Sequence, residues 1–216
     1  MGFVQIFSIA LALVGTGAAA PRAPSALFCD PATDVCYSSS TVGIAQIAYR
    51  VALPVVDAAP FDMLIQIVAP KSAGWAGIAW GGHMINNTVT IGWANGNSSV
   101  VSSRWASAHT VPDVYETAEY TLLKGSTTND THWTLNALCK GCSVWTHDGG
   151  ATTTLNPGAT EANFAWASSP SPPLDPSDNY TVFGIHTEHG TFTIDLASSR
   201  TDKFDTYVQA LSSEND

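Results

Sequence analysis

GWAGIAWGGHMINNTVTIGWANGN, residues 74–97, is the stretch around which the rest of the chain is read. Small residues alternate with Ile78 and Trp80, the pair Gly81-Gly82 follows, and Met84 stands at the bend before a second alternating run. Alternation at period two predicts two strands, and a Gly-Gly between them lets the backbone turn or approach a bulky group closely. A thioether offered at a strand end has two uses: it fills an irregular gap in a core, or it is a soft ligand to iron.

Outward from this stretch the chain repeats the same grammar. Strands are expected near Ile44 to Leu53, Met63 to Ala69, Trp75 to Trp80, Val89 to Trp93 and Val100 to Trp105. Others follow near Tyr115 to Leu123, His132 to Leu138, Asn163 to Ala167, Tyr180 to Ile185 and Thr191 to Leu196. Short strands punctuated by Gly, Pro, Asn and Ser indicate an all-β sandwich or barrel rather than a βαβ fold. Near the C-terminus Phe204, Tyr207, Val208 and Leu211 fall at i, i+3, i+4 and i+7, which predicts one amphipathic helix packed on the sandwich. SSPSPPLDPS, residues 168–177, suits polyproline II or turns. It is not read as an interdomain linker, because the residues after it are too few for an independent core.

Residues 1–20 carry no charged side chain and hold an apolar run from Phe3 to Val14, with Ala18-x-Ala20 before Pro21. That is the pattern of a signal peptide, too short in its apolar core to span a bilayer, so an exported, secreted chain beginning near Pro21 is expected. Residues 21–216 then have the length of a single domain with room for a real core. With 8 basic against 18 acidic residues the formal charge is −10, which disfavours nucleic acid and anionic membranes as partners.

Four cysteines in an exported chain point to disulfides, and their spacing suggests two local loops, Cys29 with Cys36 and Cys139 with Cys142. Covalent c-type haem attachment is excluded because Ser143, not His, follows the second cysteine of the C-x-x-C. A zinc site using His147 lacks a fourth ligand at suitable spacing, and a thioredoxin-like motif lacks its βαβ context. Asn86, Asn97, Asn129 and Asn179 head Asn-x-Ser/Thr acceptors for glycosylation and mark expected surface loops.

Further short motifs come in order: WANGN at Trp93 to Asn97, RWA at Arg104 to Ala106, C-x-G-C-x-x-W at Cys139 to Trp145, and H-x-x-x-G-x-F-x-x-D at His186 to Asp195. As an ordered set with Gly-Gly-x-Met, they resemble the cytochrome domain of fungal cellobiose dehydrogenases and related secreted iron-reductase domains. The resemblance implies an all-β, immunoglobulin-like antiparallel β-sandwich with a short C-terminal helix, holding haem b. It assigns one axial ligand to Met84.

For the second ligand the residues themselves leave three histidines, His186, His189 and His83. In an extended chain positions 186 and 189 point to opposite faces, so one of the pair is expected to face a pocket, with Phe183 and Ile185 as walls. The resemblance maps the histidine ligand onto His186 and places His189 where relatives carry an aromatic residue. Trp80, Trp93 and Trp105 are candidates to line or support the slot, though Trp is as often plain core. His109 stands where relatives often carry a propionate-contacting Tyr.

A thioether and a neutral imidazole are a recognised axial pair for electron-transfer haems, with both positions filled and no open site for oxygen chemistry. The implied function is a secreted b-type cytochrome passing single electrons to ferric iron or to a copper-dependent polysaccharide monooxygenase. No dinucleotide fingerprint G-x-G-x-x-G occurs, so the donor is a flavin dehydrogenase or a small reductant supplied from outside this sequence. The competing class is a haem-free carbohydrate-binding β-sandwich module whose aromatics stack on sugar.

Overall fold

A computed structural model describes residues 25–212, so the expected signal peptide lies outside the described residues. The chain runs β1 (Ala26–Cys29), β2 (Cys36–Val42), β3 (Ile47–Pro54), β4 (Met63–Pro70), β5 (Trp75–Ala79), β6 (Asn87–Asn95), β7 (Ser98–Ala106) and β8 (Asp113–Val114). It continues through β9 (Glu119–Leu122), β10 (Thr127–Thr128), β11 (His132–Lys140), β12 (Val144–Thr146), β13 (Thr152–Thr154), β14 (Ala162–Ser169), β15 (Glu188–Ile194) and β16 (Arg200–Thr201). The last described element is the helix α1 (Phe204–Ser212).

Two antiparallel sheets face each other. One has the order β1-β2-β3-β4-β11-β10, with β9 also on β11 and β16 running parallel to β3; the other is β15-β14-β5-β6-β7-β8. The hairpin β12-β13 stands apart. Alternation fills the space between the sheets: Ile47, Tyr49, Val51 and Leu53 of β3, and Trp133, Leu135 and Ala137 of β11, meet Ile78, Phe164, Phe192 and Trp80 from across the sandwich. Tyr49 reaches through this core to donate its hydroxyl to the carbonyl of Gly77 at 2.9 Å. Each large side chain so buried is worth about 1.5–3 kcal/mol relative to exposure.

On the far face of the first sheet α1 packs Phe204 and Leu211 onto Tyr37, Ala52, Leu64 and Leu138, with Tyr207 and Val208 at its margin. The predicted stripe is thus the buried stripe. The expected sandwich with its C-terminal helix is what the chain forms. Cys29 pairs with Cys36 across β1-β2, and Cys139 with Cys142 around the turn at Gly141 that ends β11.

Several segments depart from the sequence reading, the unexpected short strands β1, β12 and β13 among them. Residues 180–186 are not a strand: no neighbouring strand pairs with them, and Arg104 donates to the carbonyl of Thr181 while Leu174 N donates to that of Val182. The expected strand at Tyr115 to Leu123 is shortened to β9, because residues 115–118 cross over from β8 on the opposite sheet. β2 was unexpected, since CYSSSTV carries too few apolar residues for a visible alternation, yet Ser38 to Val42 pair fully with β3.

Candidate functional site

The same alternation that builds the core gives the second sheet a different outer face. Along β5 and the residue that follows it, the even positions Ala76, Ile78 and Trp80 point inward, whereas Trp75 and Ala79 belong to a separate outer cluster with Val89, Ile91 and Trp93 of β6 and Phe183. Over this face lies a cavity of about 850 Å³. Gly77, Ala79, Ala165 and Ala167 line it from β5 and β14, so its floor is made of side chains too small to rise from the sheet. Trp75 and Phe183 give it aromatic walls, edge-to-face at 5.1 Å.

Met84 enters the cavity from the β5–β6 loop. Gly82 takes φ +79°, and a Cβ there would collide with the side chain of Asn163, so the loop needs glycine for both its turn and its close approach. Asn87 donates Nδ2 to the carbonyl of His83 at 2.8 Å, and Asn86 N donates to Ala106 O at 2.7 Å, closing the loop onto the sheet. Met84 and Asn86 are half-buried and His83 is exposed.

Four of the six histidines, His83, His109, His186 and His189, line this one cavity. The expectation that His186 and His189 lie on opposite faces is overturned: their rings meet edge-to-face at 4.8 Å. The two are not in one extended run. His186 ends the off-ladder segment, Thr187 N turns to donate to Ser168 O at 2.9 Å, and only then does β15 begin, placing His189 beside Ala167. His186 is half-buried and His189 exposed. Burial, and then the neighbouring His189 and His109, hold the pKa of His186 below the ordinary histidine value, so its imidazole is kept neutral and able to ligate.

His109 stands at the exposed rim with Val111 and Ile185, which are 39% and 77% exposed. Trp80 is a correction: it does not line the cavity but sits 1% exposed in the inter-sheet core, edge-to-face on Phe164 and donating Nε1 to Thr90 Oγ1 at 2.9 Å. Trp93 is buried in the outer cluster without lining the cavity, and Trp105 is half-buried and stacks on Tyr115. The wall that sequence reasoning missed is Trp75. For Trp75 a signal was present, since it shares its face with Gly77 and Ala79; the small-residue face, not the Ile78–Trp80 face, leaves room for a planar ligand. A smaller cavity of about 490 Å³ at the β7–β9 edge is lined by Tyr115, Tyr120, Glu116 and Glu119 and offers neither thioether nor imidazole.

Residues 28–206 match the family described as the cytochrome domain of cellobiose dehydrogenase. The chain belongs to this family of cytochrome domains. A pyrroloquinoline quinone-dependent pyranose dehydrogenase of Coprinopsis cinerea is 33% identical over 154 residues, covering 71% of this chain. The chain spans 21% of the length of that relative. Among solved structures, the cytochrome b domain of pyranose dehydrogenase from Coprinopsis cinerea superposes with a TM-score of 0.77 at 29% identity, covering 87% of this chain and 96% of that one. The cytochrome domain of Myriococcum thermophilum cellobiose dehydrogenase shares the fold, with a TM-score of 0.77 at 22% identity over 88% and 97% of the two chains.

Cytochrome domains of this family bind haem and transfer electrons, and the residues of this cavity fit that group. The slot has no Asp, Glu, Lys or Arg in its lining, is flat-floored and is within the usual size of a cofactor site. Met84 and His186 supply a soft and a borderline donor. Trp75 Nε1 is a buried donor with no partner among the described residues, which a bound acceptor would satisfy.

Proposed function

We propose that this domain holds haem b in the cavity over β5 and β14, with Met84 and His186 as axial ligands and His109 at the propionate edge. The observation that carries the reading is that one cavity of a cytochrome-family chain, with no Asp, Glu, Lys or Arg in its lining, gathers a thioether, a half-buried imidazole and an apolar floor. Bound there, the haem supplies a one-electron ferric/ferrous couple. The chain's part is to exclude water with Trp75, Phe183 and Ile91, to present the two donors, and to leave one edge open at Val111 and Ile185. Both axial positions being taken by protein, the work is outer-sphere electron transfer from a flavin dehydrogenase or small reductant to ferric iron or a copper monooxygenase. An exported, secreted setting fits the N-terminal apolar run and the two disulfides. Among the described residues no helix is long and apolar enough to cross a membrane. Asn97, Asn129 and Asn179 are exposed and Asn86 half-buried, which ranks the first three as the better glycan acceptors.

Absorbance of the purified domain tests this directly. A Soret band that sharpens on dithionite reduction is expected, and a colourless protein that binds cellulose oligosaccharides instead would support the carbohydrate-binding module. Replacing Met84 by His should keep a six-coordinate haem and lower its potential, because a second imidazole favours ferric iron more than a thioether does. Spectroelectrochemical titration reads the shift, and an unchanged potential removes Met84 from the ligand set.

Acceptor choice follows from the formal charge of −10. Reoxidation by a cationic acceptor should be fast at low salt and slow as the Debye length falls from about 30 Å at 0.01 M to about 8 Å at 0.15 M. An anionic acceptor should show the opposite trend. Stopped-flow traces across a salt series measure both, and cellobiose oxidation by the pure domain would refute a carrier role.

A further inference from the structure

His186 is carried by a segment with no strand ladder of its own, so something else must fix where it enters the cavity. Downstream the anchor is Thr187 N on Ser168 O. Upstream, side chains from the outer face of the second sheet hold the carbonyls of Pro176, Asn179 and Thr181. Trp93 Nε1 donates to Pro176 O at 2.9 Å, Ser102 Oγ to Asn179 O at 2.5 Å, and Arg104 Nη2 to Asn179 O at 3.1 Å and Thr181 O at 2.7 Å. Arg104 is only 4% exposed, its Nε donates to Ser102 Oγ at 2.7 Å, and its guanidinium lies 5.2 Å from the centre of the Phe183 ring, which walls the cavity.

We infer that Arg104 is the positioning residue for the axial histidine, a buried clamp that replaces the missing ladder and fixes the 179–183 backbone against β7. The chemistry favours arginine in this role. Its planar fork reaches two carbonyls and a hydroxyl at once and presents a flat face to an aromatic ring, whereas a lysine offers a single compact ammonium. Apart from Nε on Ser102 and a long Nη1 contact to Pro112 O at 3.5 Å, the donors of Arg104 go to the residues that lead to Phe183 and His186. Burial pulls the pKa of Arg104 down, with the carboxylates of Asp178 and Asp113 opposing in part, and a guanidinium remains protonated across the pH range of proteins.

The inference rests on the haem reading above, and the experiment separates the two. Arg104→Lys and Arg104→Met are compared with the unaltered protein by Soret and charge-transfer bands, by haem loss to an excess of apomyoglobin, by far-ultraviolet circular dichroism, and by amide hydrogen exchange of residues 179–186 in the haem-free protein. Arg104→Lys is the decisive variant because it keeps a buried cation. The expected result is an unchanged circular dichroism spectrum, faster exchange at 179–183, a high-spin fraction, and haem loss accelerated by about 10–100-fold, as outer-shell partners of metal ligands typically show. Arg104→Met should go further in the same direction. Native haem retention and spin state in Arg104→Lys, with exchange of 179–183 unaltered, would overturn the clamp while leaving the haem site intact. A colourless unaltered protein would refute the haem reading instead, and exchange at 179–183 would then decide the clamp on its own.

Discussion

Replacing His186 with alanine is expected to remove the low-spin spectrum and most of the bound haem, whereas His189→Ala should leave the spectrum nearly intact. The two rings are 4.8 Å apart on the same cavity, so proximity alone does not separate them. What separates them is support. His186 is half-buried between two anchors, Arg104 on the backbone upstream and Thr187 N on Ser168 O downstream, while His189 is exposed on the edge strand β15 of its sheet. An anchored imidazole already kept neutral loses less freedom on ligation than a solvated one, and so binds more tightly. Removing it should weaken haem retention by a factor of 10–100 or more, on the scale of disturbances to metal ligation. Added imidazole should restore the low-spin bands to His186→Ala, because the substitution leaves a vacancy of that shape. The opposite pattern, with His189→Ala losing the haem, would assign the ligand to β15 and leave His186 as a second contact.

That contest shows how far the sequence reading reached. Period two in residues 74–97 announces strands, and the heptad-like spacing of Phe204, Tyr207, Val208 and Leu211 announces the helix, because in both cases the apolar residues fall on a packed face. Met84 and His186 are legible as candidates from their residue types and surrounding motif. The geometry between His186 and His189 is not legible: it depends on a turn fixed by Thr187 and Ser168, far apart in sequence. Nor does RWA announce a clamp. Arg104 acquires that role only because the chain returns after β14 to lay residues 176–183 across β6 and β7. Trp80 misleads for a related reason. Large apolar residues draw attention as walls, yet on a two-faced strand they belong to whichever face is packed, and the ligand face is the one with glycine and alanine.

Trp80→Ala should therefore cost stability rather than colour. The indole is 1% exposed between the sheets, packs edge-to-face on Phe164 at 5.4 Å and donates to Thr90 Oγ1 at 2.9 Å. Truncating a fully buried Trp to Ala costs about 3–5 kcal/mol, part in lost transfer energy and part in the cavity left by neighbours that relax incompletely. Thr90 Oγ1 keeps a partner in the hydroxyl of Tyr120, so no buried polar group is orphaned and the loss should not exceed that range. Against a typical total of about 5–15 kcal/mol, the variant should unfold at far lower urea while remaining folded in buffer. The haem of the folded fraction should keep its Soret position and potential, because Ala76, Ile78 and Trp80 face the core while Trp75 and Ala79 line the cavity. Urea titration followed by tryptophan fluorescence, with the spectrum recorded before denaturant, reads both quantities. A shifted spectrum with an unchanged midpoint would place Trp80 on the cofactor face and reverse the assignment of the two faces of β5.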